Sequence, residues 1–405
     1  MRRLSRAFTS STHVAHADMF NPTSEHAQLR QMVRQFALSE VAPGARKRDA
    51  QELFDRRLHE RCGELGLLGV TVQEQFGGSG LDAVSACIIH EELSAVDPGL
   101  CLSYLAHSML FCNNLARNGS DALRAKYLPD ACSGKHLGGM CMTEPDFGTD
   151  VLGMKTSAKK QSDGSYVLNG SKMFITNGYQ GPHTSPSLGD VFLVYANSGP
   201  KQISLFVVDR HAKGLSVGRP VIGKCGMRAS PTAELVFDNV RTTQLVGKEG
   251  GAVLCMMKNL EIERVTLAAM ATGLARACIE AANKYATERV AFGKPIREYG
   301  QVQKHLAESY ARYQSARTYL YSVASRMDLD KEGQRLDTDG VKLVATTMGK
   351  DVADNCMQVL GGAGYIADHP IERLWRDAKL LEIGGGTLES HHKNMTREMK
   401  SMSSF

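Results

Sequence analysis

The amino-acid sequence changes texture twice, and that succession narrows the folds open to it more than any single motif does. From about Ser24 to Ser133 apolar residues recur at helical spacing, as in Leu29, Met32, Val33 and Phe36 and in the run Ala83 to Leu93. Between these runs EQFGGSGLD (Glu74 to Asp82) is too rich in glycine for the interior of a helix or a strand. From about Gly138 to Val246 the texture becomes short β-branched and aromatic runs, SYVLNGSKMFITNG, DVFLVYA, ISLFVVD and TAELVFDNV, separated by Gly, Asn, Asp and Pro. Inside that stretch YQGPHTSPSLG (Tyr179 to Gly189) predicts a turn-rich surface excursion joining two strands. Long helical segments return at Ala252 to Glu288, roughly Gln301 to Leu329 and Gly340 to Leu360, broken by FGKPIREYG and LGGAGY.

The order predicts an α+β protein, mostly α, with a helical domain at 19–136, a middle antiparallel β-domain (a small barrel or sandwich) at 137–248 and a second helical domain at 249–405. A chain of 405 residues is long enough to bury more than one core. No strand, GxGxxG and helix stand in register, so a dinucleotide would have its phosphates held some other way. No run of eighteen or so apolar residues marks a membrane span. The first seventeen residues carry Arg2, Arg3 and Arg6 among Ser and Thr, with no acid before Asp18. That is the composition of a mitochondrial transit segment over 1–18, or of a disordered basic N-terminus. Without those three arginines the formal net charge of +5 falls to +2, too little to suggest a nucleic-acid partner. The ten cysteines include no CxxC pair and read as reduced, mostly buried thiols, with neither a metal site nor a disulfide framework.

One carboxylate stands out by its company. Met256, Leu260, Glu263, Leu267, Met270 and Leu274 follow helical spacing, so Glu263 is the one charged residue on an apolar stripe. A carboxylate against an apolar wall loses hydration, and its pKa rises toward the range of a general base. The alternative is a salt bridge between domains. Glu261, two positions away, projects from nearly the opposite side.

Five further strings have the chemistry of a nucleotide site. In MCMTEPDFGTD (Met140 to Asp150) Pro and Gly pin backbone whose NH groups can face a flavin's pyrimidine edge or a pyrophosphate. KMFITNG (Lys172 to Gly178) is, by itself, a strand ending in an Asn-Gly turn. ERVAFGKPIREYGQVQ (Glu288 to Gln303) sets Arg289 near Phe292. The glycine pair of QVLGGAGY (Gln358 to Tyr365) lets backbone approach a phosphate, or is a helix-ending turn. RDAKLLEIGGGTLES (Arg376 to Ser390) holds three consecutive glycines.

In this order the strings resemble the acyl-CoA dehydrogenase family. The resemblance implies a C-terminal four-helix bundle after the β-domain, a homotetramer, and α,β-dehydrogenation of an acyl-CoA thioester with FAD as cofactor. Electrons would pass to electron-transferring flavoprotein, in the mitochondrial matrix. It assigns to the flavin Met140, Cys141, Met142, Thr143, Gly148 and Thr149 of the first string and Phe174, Ile175 and Thr176 of the second. Arg289 and Phe292 would reach a flavin held mainly by a neighbouring subunit, Gln358, Gly361 and Gly362 would lie at phosphate, and Thr387 and Glu389 at the adenine half. Tyr299 and Gly300 replace the family's usual Phe-Gln, so one side-chain contact is missing.

Gly385 stands where most members carry the catalytic glutamate. Glu263, followed by Arg264, matches the relocated base of the isovaleryl-CoA and long-chain members. Gly385 keeps a catalytic part through its backbone NH, which survives loss of the side chain and faces the thioester carbonyl. Thr149, Leu102, Glu261, Arg264, Leu267, Gly385 and Gly386 form the implied substrate side, with Glu261 one methylene longer than the family's pantetheine-binding Asp. Leu102 and Leu267 match the walls of a shallow, wide pocket for a short branched chain, although alone they read as core residues. The expected reaction is isovaleryl-CoA to 3-methylcrotonyl-CoA, as in leucine catabolism. A long-chain dehydrogenase, an oxidase on the same fold and a flavin- or CoA-binding protein without a base remain the alternatives.

Overall fold

A computed structural model describes residues 18–331, 335–400 and 402. The expected transit segment, apart from Asp18, lies outside the described residues.

The N-terminal part holds α1 (Ser24–Phe36), α2 (Ala45–Gln51), α3 (Arg56–Glu64), α4 (Ala83–Ser94), α5 (Pro98–Leu105), α6 (Asn114–Asn118) and α7 (Asp121–Cys132). Its helix starts are written in the sequence: Thr23, Asp55, Asp82, Asp97 and Ser120 each accept a hydrogen bond from the backbone NH three residues on. The glycine-rich string before α4 is a loop, with Gly77 and Gly80 at positive φ. Between α5 and α6 the chain winds as a π-helix over Ala106–Asn113.

The middle part holds β1 (Gly138–Cys141), β2 (Ser157–Lys160), β3 (Tyr166–Thr176), β4 (Tyr179–Gln180), β5 (Ser187–Leu188), β6 (Val191–Gly199), β7 (Gln202–Asp209), β8 (Leu215–Pro220), β9 (Thr232–Thr242) and β10 (Leu245–Val246). An eight-stranded sheet runs β10-β7-β6-β2-β3-β9-β8, with β1 also on β6. The expected excursion is the small β4–β5 hairpin. The sheet departs from purely antiparallel pairing, because β1 and β2 both run parallel to β6. A parallel neighbour needs a crossover rather than a hairpin, and the chain between β1 and β6 supplies it. β6 and β7 are buried on both faces, which is why they read as unbroken apolar runs. Leu193, Tyr195, Leu205 and Val207 pack toward α7 and the bundle, whereas Phe192, Val194, Phe206 and Val208 fill the sheet's own core.

The C-terminal part is α8 (Ala252–Glu288), the hairpin β11 (Val290–Ala291) and β12 (Lys294–Pro295), α9 (Gly300–Ala324), α10 (Arg335–Leu360), α11 (Ile371–Ile383) and α12 (Leu388–Met399). Gly349 of α10 packs on Ala271 of α8, and Lys342 lies close enough to Glu263 to act on its charge, so α8 and α10 run parallel. His305 of α9 meets Asn355, while Gly340 meets Tyr319, so α9 descends between them. Trp375 of α11 donates to Asp354 of α10, and α11 descends as well, returning the chain to the level of Glu263. By length and composition α8 could cross a bilayer, yet 72% of its most apolar window is buried inside the protein.

A charged knot ties the first helices to this bundle. Glu91 and Glu92 of α4 are buried and accept from Arg30, Arg34, Arg276 and Arg317, with Tyr321 joining Glu91. The ten cysteines are all free thiols, and only Cys225 is exposed.

Candidate active site

Glu263 sits in the lower half of α8, 6% exposed, beneath the turn that links α11 to α12. Three glycines form that turn, and Gly385 and Gly386 take φ of +67° and +101°, a region that excludes most side chains. The turn is built around the carboxylate. A Cβ on Gly385 would come 2.3 Å from Leu267 Cδ1 and 3.3 Å from Glu263 Oε1. Leu267, one turn along α8, is buried against the main core, and Leu102 of α5 is partly buried against the same core.

Burial pushes Glu263 up to about 7, while the nearby cations Arg264 and Lys342 pull it down. Its Oε2 is buried and has no hydrogen-bond partner among the described residues. The interdomain salt bridge considered for it is not formed, because Arg264 pairs instead with Asp339 of α10 at 3.2 Å. An ionisable oxygen left free, shielded from water and brought near neutrality is suited to taking a proton from a bound molecule. Glu261 points away as expected and lies 3.9 Å from Arg335, beside a water-sized cavity of about 10 Å³.

The flavin residues of the middle domain divide by what their side chains are doing. Cys141 and Ile175 are buried in the sheet core, so backbone is what they can offer a ligand. Met140 and Met142 are partly buried toward the first helices and Thr143 is partly buried, while Gly148 and Thr149 are exposed on the loop after β1. Glu144 within that string holds the local backbone together, accepting from Lys155 N at 2.6 Å, Thr156 N at 2.9 Å and buried Lys172 at 2.9 Å. The pairing of β3 with β9 shifts between Lys172 and Ile175, and in the bulge Phe174 adopts φ +59° and turns outward, 62% exposed. Thr176, two residues on, is partly buried. A bulky residue at positive φ in a bulge is strained backbone of the kind found at binding sites, and it fits an aromatic presented to a planar ring.

Of the remaining expected flavin residues, Arg289, Phe292, Gln358, Gly361 and Gly362 are not brought together with Glu263. Arg289 and the 97% exposed Phe292 lie on the hairpin at the far end of α8, about 38 Å along the helix axis from Glu263. Gln358, Gly361 and Gly362 lie at the same far end, closing α10, and a Cβ on either glycine would meet open space. Thr387 and Glu389 are at the near end. Thr387 Oγ1 caps α12 by accepting from Ser390 N, and Glu389 is exposed in its first turn. Phe174 and these open glycines fit a flavin nucleotide, with the two sets of contacts at opposite ends of one chain.

Sequence reasoning missed three residues that surround the glycine turn. Lys342 of α10 is fully buried and donates to the Gly386 carbonyl at 2.5 Å. His391 of α12 approaches the same oxygen with Nε2 at 3.0 Å, and its Nδ1 bonds Asp339. A signal existed: Asp339, Lys342 and Thr346 recur at helical spacing on the buried face of α10, two charged residues and a hydroxyl where apolar ones belong.

Family models match the chain over nearly all of this architecture. The model for the N-terminal domain of acyl-CoA dehydrogenases covers residues 23–135, that for the middle domain 139–240 and that for the C-terminal domain 251–400. The mitochondrial isovaleryl-CoA dehydrogenase of Oryza sativa subsp. japonica is 42% identical over 389 residues, 94% of this chain and 92% of that protein. The mitochondrial 2-methylacyl-CoA dehydrogenase of Solanum tuberosum is 37% identical over 92% of this chain and 90% of its own length. Among solved structures, butyryl-CoA dehydrogenase from Megasphaera elsdenii superposes with a TM-score of 0.88 at 31% identity, covering 93% of this chain and 98% of that one.

Proposed function

The chain belongs to the acyl-CoA dehydrogenase family of FAD-dependent oxidoreductases, and from that premise we propose that it oxidises a short branched acyl-CoA, isovaleryl-CoA, to 3-methylcrotonyl-CoA. The bound flavin supplies the hydride acceptor for the β-carbon. Glu263 takes the α-proton at its free Oε2, and its elevated pKa lets it hold that proton at neutral pH. The Gly385 NH polarises the thioester carbonyl without need of a side chain. Leu267 and Leu102 shape the wall beside the acyl chain, and Arg264, tied to Asp339, holds its charge beside the base.

The observation that carries this reading is the buried Glu263 carboxylate with the Gly385 backbone packed directly on it and on Leu267. Any side chain at 385 would collide with Leu267 and crowd the carboxylate, so only glycine lets the backbone NH of the turn stand beside the base. The test is anaerobic bleaching of the flavin by isovaleryl-CoA against 2-methylbutyryl-CoA, butyryl-CoA and palmitoyl-CoA. Fastest bleaching by isovaleryl-CoA supports the assignment. Preference for palmitoyl-CoA would replace it by the long-chain reading, rapid peroxide release by an oxidase, and no bleaching by a non-catalytic binding protein.

Electron-transferring flavoprotein as acceptor belongs to the same proposal, as does the mitochondrial matrix as location, which the mitochondrial names of the plant relatives support. The homotetramer belongs to the same proposal; the separation along α8 supports a neighbouring chain at the site, since one protomer's far end lies too distant from its own Glu263 to serve the same part of a flavin.

A further inference from the structure

Two adjacent glycines at positive φ make a poor clamp, because glycine backbone moves among many conformations at little cost. Whatever anchors Gly385 and Gly386 therefore decides where the Gly385 NH and the Glu263 carboxylate stand relative to each other. The anchor is the Gly386 carbonyl, which faces Lys342 Nζ at 2.5 Å and His391 Nε2 at 3.0 Å.

These two partners are not equivalent. His391 presents both ring nitrogens to acceptors, Nδ1 to the Asp339 carboxylate and Nε2 to the carbonyl, and a neutral imidazole can donate to only one. Burial first, then the cations Lys342 and Arg264, hold its pKa below the ordinary value despite Asp339, which keeps the ring neutral near pH 7. His391 Nδ1–H donates to the Asp339 carboxylate, leaving Lys342 as the donor to Gly386. Lys342 is completely buried and still attracted to Glu263, so one side chain holds the turn and places a positive charge beside the base.

We propose that Lys342 is a positioning residue of the dehydrogenation: it fixes the Gly384 to Gly386 turn over Glu263 through the Gly386 carbonyl and supplies the counter-charge under which Glu263 ionises. This rests on Glu263 being the base. The charged and titratable groups acting with Glu263 are Arg264 on α8, Lys342 on α10 and Tyr195 on β6, while Asp339 of α10 and Glu382 of α11 act on Lys342, and Lys342 and Asp339 act on His391 of α12. Asp339 is already shared between Arg264 and His391, so it compensates little of the Lys342 charge.

The test compares Lys342→Met, Lys342→Gln and Lys342→Arg as FAD-loaded full-length proteins. The readouts are the rate of anaerobic flavin reduction by isovaleryl-CoA across pH, with flavin content and thermal unfolding of each variant. Lys342→Met is expected to slow reduction about 100-fold. It also moves the acid limb alkaline by about one pH unit or more, since a lost cation raises the pKa of a carboxylate. Lys342→Gln keeps a donor without the charge, so it retains more rate but shows the same limb shift, and Lys342→Arg keeps the wild-type limb. A purely structural lysine would leave the limb in place. If Lys342→Met fails to hold flavin, the Gln and Arg variants decide, and coincident limbs overturn the proposal. A Glu263→Gln control separates the two ideas: wild-type reduction there defeats the base assignment, whereas an inactive Glu263→Gln beside a wild-type Lys342→Met defeats the lysine assignment alone.

Discussion

Replacing Gly385 by alanine forces a methyl group into the contact between the glycine turn, Leu267 and Glu263. The added carbon would lie 2.3 Å from Leu267 Cδ1, where carbon contacts settle near 3.5–4.0 Å, so the leucine methyl has to give by more than about 1 Å. Leu267 is 2% exposed and packed in the main core, which leaves it little room to yield. Overpacking of this kind costs about 1–3 kcal/mol. Holding alanine at φ +67° adds about 1–2 kcal/mol. Urea unfolding is therefore expected to show a loss of about 2–5 kcal/mol. The Glu263 oxygen, 3.3 Å from the new methyl, is pushed off line, and a displacement near 1 Å costs about 100-fold in rate. Stopped-flow reduction by isovaleryl-CoA and by butyryl-CoA should both show this loss. Adding Leu267→Ala to Gly385→Ala should recover part of both losses, through a coupling of about 1–3 kcal/mol. A Gly385→Ala protein as stable and as fast as wild type, or no recovery in the double variant, would refute this account of the glycine.

Glu263→Gln should retain flavin and lose its reduction by acyl-CoA, seen as unbleached absorbance under anaerobic substrate. The same variant carries a stability signature, since a carboxyl raised from 4.5 to about 7 contributes stability that is complete below its ordinary pKa and lost as pH rises through about 7. At 1.36 kcal/mol per pH unit the difference is about 3 kcal/mol, so Glu263→Gln should gain on wild type at pH 8 but not at pH 4 in urea titrations, and a constant offset would count against it. Glu92→Gln, leaving three arginines without their shared buried carboxylate, should cost about 3–5 kcal/mol in the same assay. Arg289→Ala, changing an exposed side chain, should leave the far-ultraviolet circular dichroism intact yet release FAD on gel filtration; flavin retention equal to wild type would remove Arg289 from the cofactor site.

How far the molecule could be read in advance follows from how local each cause is. Glu263 was legible because its stripe lies within one helix, and the bounds of α8 follow from the same periodicity. Helices α11 and α12 were not foreseen as elements, although Ile371, Leu374, Ala378 and Leu381 recur at helical spacing and are buried. The glycine string drew attention to chemistry and away from period. Cys141 and Ile175 were assigned to the flavin by position in a motif, while strand alternation sends their side chains to the other face. Lys342, Asp339 and His391 could not be joined to Glu263 from sequence, because the contact exists only once α10 runs parallel to α8 and α12 folds back over both. The exit of Phe174 depends on a bulge in the pairing with β9, a property of two strands rather than one.

The long rod of α8 carries Glu263 in its lower half and Arg289 and Phe292 beyond its tip, and in the proposed tetramer each complete site would draw the first from one chain and the second pair from a neighbour. Damage is then not confined to the chain that bears it. A mixed assembly of chains lacking Glu263 with chains lacking Arg289 contains sites in which both groups are sound, so two inactive proteins restore each other when assembled together. The converse also holds: in a mixture with normal chains, a defective tip lowers the output of a neighbour whose own base is intact.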